Sequence, residues 1–190
     1  MRIISGRFKG RVLATADGPG MRPAMGKVRE ALFSMLAARG VDFAACRVLD
    51  LFAGSGAVGL EAVSRGAPEA VFVEKSASVA ATLRANIRDL DLSSKSVQVF
   101  QGAVDAFFKK RRGEVFDCVF IDPPYGKDLL VPTLAGLVRG GFAGDGAVIA
   151  AEVELAVDPA PEDLPPQCVL LAGRVYGQTR ILVWRLEMPA

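Results

Sequence analysis

From residue 47 onward, apolar runs of strand length alternate with segments in which apolar residues recur at helical spacing. This switch of period predicts strands over residues 48–52, 70–74, 97–100, 118–121 and 147–153, and helices over 58–65, 78–90 and 129–139. Strands that alternate with helices form parallel βαβ units. We therefore predict an α/β fold with a doubly wound, mostly parallel sheet.

The two ends of the chain show other patterns. Residues 1–20 alternate basic with apolar residues and are interrupted by glycines, which is typical of short strands or a hairpin. Apolar residues at helical spacing then predict a helix over 27–39. Strand-like runs at 169–175 and 179–186 flank a short turn. They predict a C-terminal antiparallel hairpin that extends the parallel sheet.

The length of 190 residues suits one domain with a small appendage. We divide the chain into a basic N-terminal arm, residues 1–24, and a single domain, residues 25–190. The net charge is only +2, but residues 1–30 hold seven basic and two acidic residues. This asymmetry favours an arm that meets a polyanion, although a solvated surface would have the same composition.

Several classes of function and location are disfavoured by composition. The chain has no histidine, which excludes Ser-His-Asp and Cys-His catalysis and disfavours a zinc site, so we expect no metal. Three scattered cysteines and an N-terminus without the apolar core of a signal peptide indicate a cytoplasmic protein with reduced thiols. No apolar run has the length of a membrane span. No long apolar seam indicates an obligate dimer, so we expect a monomer.

A glycine-rich turn follows the first predicted strand of the sheet. Gly54, Gly56 and Gly59 match the G-x-G-x-x-G pattern, and Glu74 ends the next predicted strand, 20 residues after Gly54. Such glycines let a nucleotide approach the backbone, and the acid can accept both hydroxyls of a ribose. A plain packing turn and a dinucleotide site share this pattern. Asp50, just before the turn, favours a ligand with an ammonium group, such as S-adenosylmethionine.

The residues Asp122-Pro123-Pro124-Tyr125 follow the buried-looking fourth strand. Open α/β sheets bind their ligands at this carboxyl edge. The Asp122 carboxylate and the Pro123 carbonyl can accept hydrogen bonds from a planar amine, while the Tyr125 ring stacks on the base that carries it. This predicts chemistry on an exocyclic nitrogen of an unpaired or flipped-out base. The alternative is a proline-stiffened turn that only ends a strand.

The chain resembles the class I methyltransferases and, among them, the bacterial RsmD-type 16S rRNA guanine-N2 methyltransferases. The similarity extends along nearly the whole chain, and its N-terminal motifs are the most specific. The segments that carry it are residues 2–11 (RIISGRFKGR), 22–23 (RP), 28–33 (VREALF), 49–59, 122–125 (DPPY) and 176–179 (YGQT).

The resemblance implies methyl transfer from S-adenosylmethionine to N2 of a guanine in 16S rRNA, in the free RNA, the small ribosomal subunit or an assembly intermediate. With the motifs, it assigns three sets of residues. The catalytic set is Asp122, Pro123, Pro124 and Tyr125; the cofactor set is Asp50, Phe52, Gly54, Ser55, Gly56, Glu74 and Ala103; the RNA-binding set is Arg7, Lys9, Arg11, Arg22 and Arg29. Arg7, Lys9 and Arg11 recur at every second position, which on a strand places them on one face.

Two positions depart from the family pattern. Ala24 stands where the family usually has threonine, and Ala103 stands where an aspartate commonly accepts from the adenine amine. Either the backbone of Ala103 or the carboxylate of Asp105 could serve instead.

Three other functions fit part of the pattern. The first is an amino-methyltransferase that acts on adenine N6 or on a protein glutamine amide. The second is a nicotinamide-dependent enzyme with the same glycine turn. The third is a non-catalytic RNA-binding protein that retains the cofactor fold.

Overall fold

A computed structural model describes residues 1–15 and 24–188 of the chain, without the side chains of residues 24 and 25. Its centre is a seven-stranded sheet in the order β3-β2-β1-β4-β5-β7-β6. Strands β1 to β5 run parallel, β7 is antiparallel to β5, and β6 is antiparallel to β7. The predicted α/β class, the mostly parallel sheet and the antiparallel hairpin are therefore confirmed.

The strands are β1 (Arg47–Leu51), β2 (Glu69–Glu74), β3 (Val97–Gln101), β4 (Phe116–Ile121), β5 (Ala143–Glu154), β6 (Cys168–Tyr176) and β7 (Thr179–Leu186). The helices are α1 (Ala24–Ala37), α2 (Ala57–Ser64), α3 (Ala77–Asp89), α4 (Val104–Lys110) and α5 (Leu130–Arg139), with 3-10 turns at Phe43–Ala45 and Pro161–Asp163.

Helices cover both faces of the sheet, so the central strands are buried on both sides. On one face, α1, α2 and α3 pack through residues such as Phe33, Leu60 and Leu83. On the other, α4 and α5 pack through residues such as Phe107 and Leu134. Burial on both faces explains why β1, β2 and β4 read as continuous apolar runs in the sequence.

The chain direction across the sheet reverses between β1 and β4. Strands β2 and β3 extend the sheet to one side of β1, and β4 and β5 extend it to the other. Loops that leave the carboxyl ends of β1 and β4 therefore part in opposite directions and open a crevice between them, where doubly wound folds bind ligands.

The N-terminal arm differs from its predicted conformation. Residues 5–10 form successive turns instead of a strand, and a single antiparallel bridge joins Arg2 to Val12. Gly6 and Gly10 have φ of 82° and 85°, values that an extended strand excludes. The predicted alignment of three basic residues on one strand face is therefore wrong, although the segment still folds back as a short hairpin.

The arm also packs into the main core. Ile3 and Leu13 are buried among residues of α1 and α2. The predicted division at residue 24 remains a prediction, because residues 16–23 lie outside the described part of the chain.

Helix α4 was not predicted, and β5 is longer than predicted. Helix α4 has seven residues and lies between Gly102 and a basic turn, too short to show a periodic pattern. Strand β5 begins four residues before its predicted start, in a segment rich in glycine. Within the described ranges, no helix has the length and apolarity that a membrane crossing needs.

Candidate active site

The glycine turn after β1 is held by Asp50. The carboxylate of Asp50 accepts a hydrogen bond from the backbone N–H of Gly59, at 2.9 Å, and so ties the end of β1 to helix α2. A Cβ at Gly59 would lie 2.4 Å from the Phe72 ring, so only glycine allows this close approach of helix to strand. The third glycine of the motif therefore serves packing, as the fingerprint predicts.

The first two glycines of the motif are required, or tolerated, for different local reasons. Gly56 has φ of 83° and immediately precedes α2. A Cβ there would lie 2.3 Å from the Leu83 side chain. Gly54 has φ of 56°, and a Cβ there would meet no described protein atom within 4 Å, so the space beside Gly54 is open to a ligand.

Phe52 lies between β1 and the turn with φ of 62°, a left-handed conformation that non-glycine residues rarely adopt. The neighbouring N–H of Ala53 donates to the carbonyl of Val73, which fixes the backbone there. Strain of this kind concentrates at ligand sites. In this chain, the left-handed conformation turns the backbone away from the sheet and places Phe52 in the walls of two cavities.

Glu74 closes the other side of the turn. One of its carboxylate oxygens accepts from the N–H of Gly54 at 2.9 Å, and the other accepts from Ser76 at 2.6 Å. A carboxylate can accept about four hydrogen bonds, so Glu74 retains capacity for two ribose hydroxyls.

The Asp122–Tyr125 segment begins directly after β4, as predicted. It is braced at two points: the Tyr125 hydroxyl lies 3.1 Å from that of Thr179, and the Gly126 N–H donates to Glu154 at 2.7 Å. Tyr125 remains 44% exposed. A half-exposed ring on a braced loop could contact a base that approaches from solvent.

Two cavities meet at this segment and share Phe52 and Asp122 in their walls. The larger, about 610 Å³, is bounded by Glu74, Ala103 and Tyr125, among others. The smaller, about 270 Å³, is bounded by residues of the glycine turn together with Arg29, Asp50 and Glu152. The structure thus brings all the predicted cofactor residues except Gly56, together with the Asp122–Tyr125 loop, to one crevice.

Acidic groups dominate the smaller cavity. Asp50, Asp122 and Glu152 line it together with one basic residue, Arg29. Burial raises the pKa of Asp50 to about 7, despite its bond from Gly59. Burial and the charges of Glu152 and Asp50 raise the pKa of Asp122 well above its usual range. Such a cavity favours a ligand that brings positive charge or hydrogen-bond donors, and an ammonium group beside Asp50 fits these acceptors.

Titration of Asp50 gives a testable dependence of stability on pH. The folded-state pKa of Asp50, about 7, lies above that of an unfolded aspartate, so stability is full at low pH and is lost as the pH rises through 7. The full effect is up to about 4 kcal/mol. Because the loss begins near the unfolded pKa of about 4 and is complete by about pH 7, we expect the melting temperature of the ligand-free protein to fall between pH 4 and pH 7, and to fall less in Asp50→Asn. Parallel melting curves for the two proteins over this range would contradict the assignment.

The structure favours one of the two candidate contacts to the adenine amine, the backbone of Ala103 and the carboxylate of Asp105. Ala103 lies at the start of α4 and bounds the larger cavity. Asp105 lies in the first turn of α4 and is exposed to solvent rather than forming part of the described cavity wall. Of the two alternatives, the backbone of Ala103 is therefore the better placed to meet an adenine amine.

The predicted RNA-binding residues separate into two environments. Arg7, Lys9 and Arg11 are exposed on the turns of the arm. The Arg7 guanidinium lies over the Phe8 ring, and Arg11 donates to the carbonyl of Asp89. Arg22 lies outside the described residues.

Arg29 is only 4% exposed and lies on the inner side of α1. Its guanidinium donates to the carbonyl of Arg2 and to the sulfur of Met1. Burial lowers its pKa, and the charges of Glu61 and Glu152 partly offset that effect. Its position is wrong for a contact with an RNA phosphate at the surface, and it belongs instead to the wall of the smaller cavity.

Sequence reasoning missed Glu152 and the cavity position of Arg29. Glu152 is one of the last residues of β5 and interrupts the otherwise apolar run Val148-Ile149-Ala150-Ala151. A charged residue near the carboxyl end of a buried strand is a usable signal, because that end of the sheet faces the ligand. For Arg29, burial depends on how α1 docks, which no local pattern reports.

Known proteins resemble this chain over almost its full length. A family model described as "Conserved hypothetical protein 95" matches residues 1–185. The ribosomal RNA small subunit methyltransferase D of Escherichia coli K12 is 38% identical over 98% of this chain and 90% of its own length. The protein of the same name from Haemophilus influenzae is 35% identical over 93% of this chain and 89% of its own.

Solved structures show the same architecture. The Escherichia coli protein yhhF superposes with a TM-score of 0.85 and 34% identity, over 100% of this chain and 99% of that one. A hypothetical protein of Thermus thermophilus superposes with a TM-score of 0.79 and 31% identity, over 99% of each chain. The motifs, the crevice at the carboxyl edge of the sheet and these similarities agree: the chain belongs to the Conserved hypothetical protein 95 family, the family of RsmD-type methyltransferases.

Proposed function

We propose that this chain transfers a methyl group from S-adenosylmethionine to the exocyclic N2 of a guanine in small-subunit (16S) rRNA. The observation that carries the proposal is the position of Asp122 at the junction of two cavities, on a braced loop that presents Tyr125 to solvent. The names of the Escherichia coli and Haemophilus influenzae relatives support rRNA as the substrate. The choice of guanine N2 rests on the family resemblance.

The cofactor would span both cavities. Its ribose would lie against Glu74 and its adenine against Ala103, both in the larger cavity. Its amino-acid end would lie over the glycine turn in the smaller cavity, where Asp50 can accept from the ammonium group. When bound, S-adenosylmethionine supplies a methyl group activated by the positive sulfur.

The protein's own contribution is positioning and local field. The lone pair of an exocyclic amine is delocalised into the base, so acceptors that hold its N–H bonds favour the geometry of attack. Asp122 and the carbonyl of Pro123 would be these acceptors, and Tyr125 would hold the ring by stacking. After transfer the nitrogen is positively charged and strongly acidic, so its proton is lost readily to Asp122 or to solvent.

The exposed basic groups of the arm would hold the RNA. Arg2, Arg7, Lys9 and Arg11 are all exposed and close together in sequence. Contacts of basic groups with phosphates give affinity that falls steeply with salt and do not read the base sequence. The partner would be 16S rRNA, free or in a small ribosomal subunit or assembly intermediate, and we expect a monomer acting in the cytoplasm.

The proposal is tested by identifying the product. Undermethylated small subunits, and separately the naked 16S rRNA, are incubated with the protein and methyl-labelled S-adenosylmethionine, then digested to nucleosides. We expect the label in N2-methylguanosine. Label in N6-methyladenosine would show that the proposed target base is wrong. No label in either RNA, despite measurable cofactor binding, would favour a non-catalytic RNA-binding protein. Binding of NAD instead of S-adenosylmethionine, measured by calorimetry, would favour a dehydrogenase.

A further inference from the structure

Glu152 lies beside Asp122 on the neighbouring strand. Strands β4 and β5 run parallel, with Ile121 opposite Ala151, so the next residue of each strand is Asp122 and Glu152. The preceding residues on the same face, Phe120 and Ala150, pack in the core under α1, α2 and α3. Because side chains alternate along a strand, both acids point to that face, and neighbouring strands lie about 4.8 Å apart.

The two carboxylates are available to a ligand. Asp122 and Glu152 both line the smaller cavity. In residues 1–15 and 24–188, neither carboxylate accepts a hydrogen bond or forms an ion pair within 4 Å. By contrast, Glu61, Glu74 and Glu154 each accept backbone N–H groups. A pair of acceptors left without donors in a partly buried site indicates that the donors arrive with a ligand.

We propose that Glu152 recognises the target base by accepting the N1–H of guanine, beside Asp122, which accepts from the N2 amine. This inference rests on the proposed function and names the residue that reads the base. The Watson–Crick edge of guanine carries N1–H and the N2 amine as adjacent donors, which match two adjacent acceptors. Adenine has no hydrogen at N1. The lone pair of its N1 would face the Glu152 carboxylate, and the two would repel each other. A flipped base is commonly read through this edge.

Arg29 supports this reading because it favours the charged form of Glu152. Its guanidinium bounds the same cavity and is fixed by the carbonyl of Arg2. Burial raises the pKa of Glu152, and the charge of Arg29 opposes that rise. Arg29 therefore favours the acceptor form of Glu152, whereas a protonated carboxyl could donate to adenine N1.

The experiment compares Glu152→Gln and Glu152→Asp with the unaltered protein on undermethylated small subunits. The product of the unaltered protein is identified first. If it is not N2-methylguanosine, the proposed function fails, and this inference fails with it before any variant is made. If it is N2-methylguanosine, we expect Glu152→Gln to lower kcat/KM for methyl transfer by about 10-fold or more, because a neutral amide oxygen accepts N1–H more weakly than the carboxylate that it replaces. Glu152→Asp, which keeps a charged acceptor, should retain more activity than Glu152→Gln.

Two further measurements separate base recognition from a structural role. Calorimetry should give S-adenosylmethionine affinities within threefold for the three proteins, and thermal unfolding should give similar midpoints. The matched control is Glu187→Gln, an exposed acid just after β7 at the edge of the sheet opposite the crevice, which should leave kcat/KM unchanged. Activity of Glu152→Gln within threefold of the unaltered protein would overturn the proposal. An equal loss of cofactor affinity and methyl transfer would also overturn it, because Glu152 would then belong to the cofactor site.

Discussion

Asp122→Ala is expected to lower the rate of methyl transfer to small-subunit rRNA by about 10²–10³-fold, the usual effect of removing one preorganised group from a reaction centre. The alanine removes the acceptor that holds the amine, and it leaves the glycine turn and Glu74 in place. We therefore expect S-adenosylmethionine to bind about as tightly as before. The measurement is incorporation of labelled methyl groups at saturating cofactor, alongside calorimetry.

A second variant separates charge from position. Asp122→Asn keeps an oxygen that can accept one N–H bond but removes the negative charge, so its rate should lie between those of Asp122→Ala and the unaltered protein. Glu187→Gln again serves as the control for an acid distant from the crevice. If Asp122→Ala kept its rate within threefold of the unaltered protein, Asp122 would have no part in catalysis.

The second large effect is expected at Glu61, which anchors the N-terminal arm to α2. Its carboxylate is fully buried and accepts from the N–H groups of Ile4 at 2.7 Å and Ser5 at 3.0 Å. It also pairs with Arg65 at 2.9 Å. Glu61→Ala would leave two backbone donors and a guanidinium without their acceptor. We expect a loss of about 3–5 kcal/mol of stability.

For a chain of this size, that loss lowers the melting temperature by on the order of 10 °C. The matched control is Glu69→Ala, which removes a half-exposed acid from its ion pair with Arg47 and should cost less than about 1 kcal/mol. Chemical denaturation of both variants gives the comparison. Equal and small losses for the two would show that the arm is not held by Glu61.

The arm also contacts the glycine turn through Asn86, so we expect it to act in cofactor binding as well as in RNA binding. Asn86 on α3 exchanges two hydrogen bonds with the backbone of Ala14 and donates a third to the carbonyl of Ser55 in the glycine turn. Asn86 is itself buried. A truncated arm would therefore disturb folding and cofactor binding together, and point substitutions of its exposed basic residues are the sharper way to study RNA binding.

Local pattern was enough to predict much of this protein from its sequence. The βα alternation, the glycine turn, Glu74 and the Asp122–Tyr125 loop were all placed correctly on the sheet. Hydrophobic periodicity and glycine positions are properties of short segments, and parallel strands necessarily bring their carboxyl ends to one edge. The sequence therefore determined the fold class and the edge of the sheet at which the glycine turn and the Asp122–Tyr125 loop lie.

Only the tertiary structure decided which distant residues share the crevice. Glu152 meets Asp122 because β4 and β5 pair in one particular register, across 30 residues of chain. Arg29 is a cavity residue because α1 docks with that side inward, although its sequence surroundings indicated a basic surface. Arm residues 5–10 form turns because Gly6 packs against the carbonyl of Ser64, where a Cβ would lie 1.8 Å away. Register, docking and close approach depend on both partners at once, and so a local pattern cannot report them.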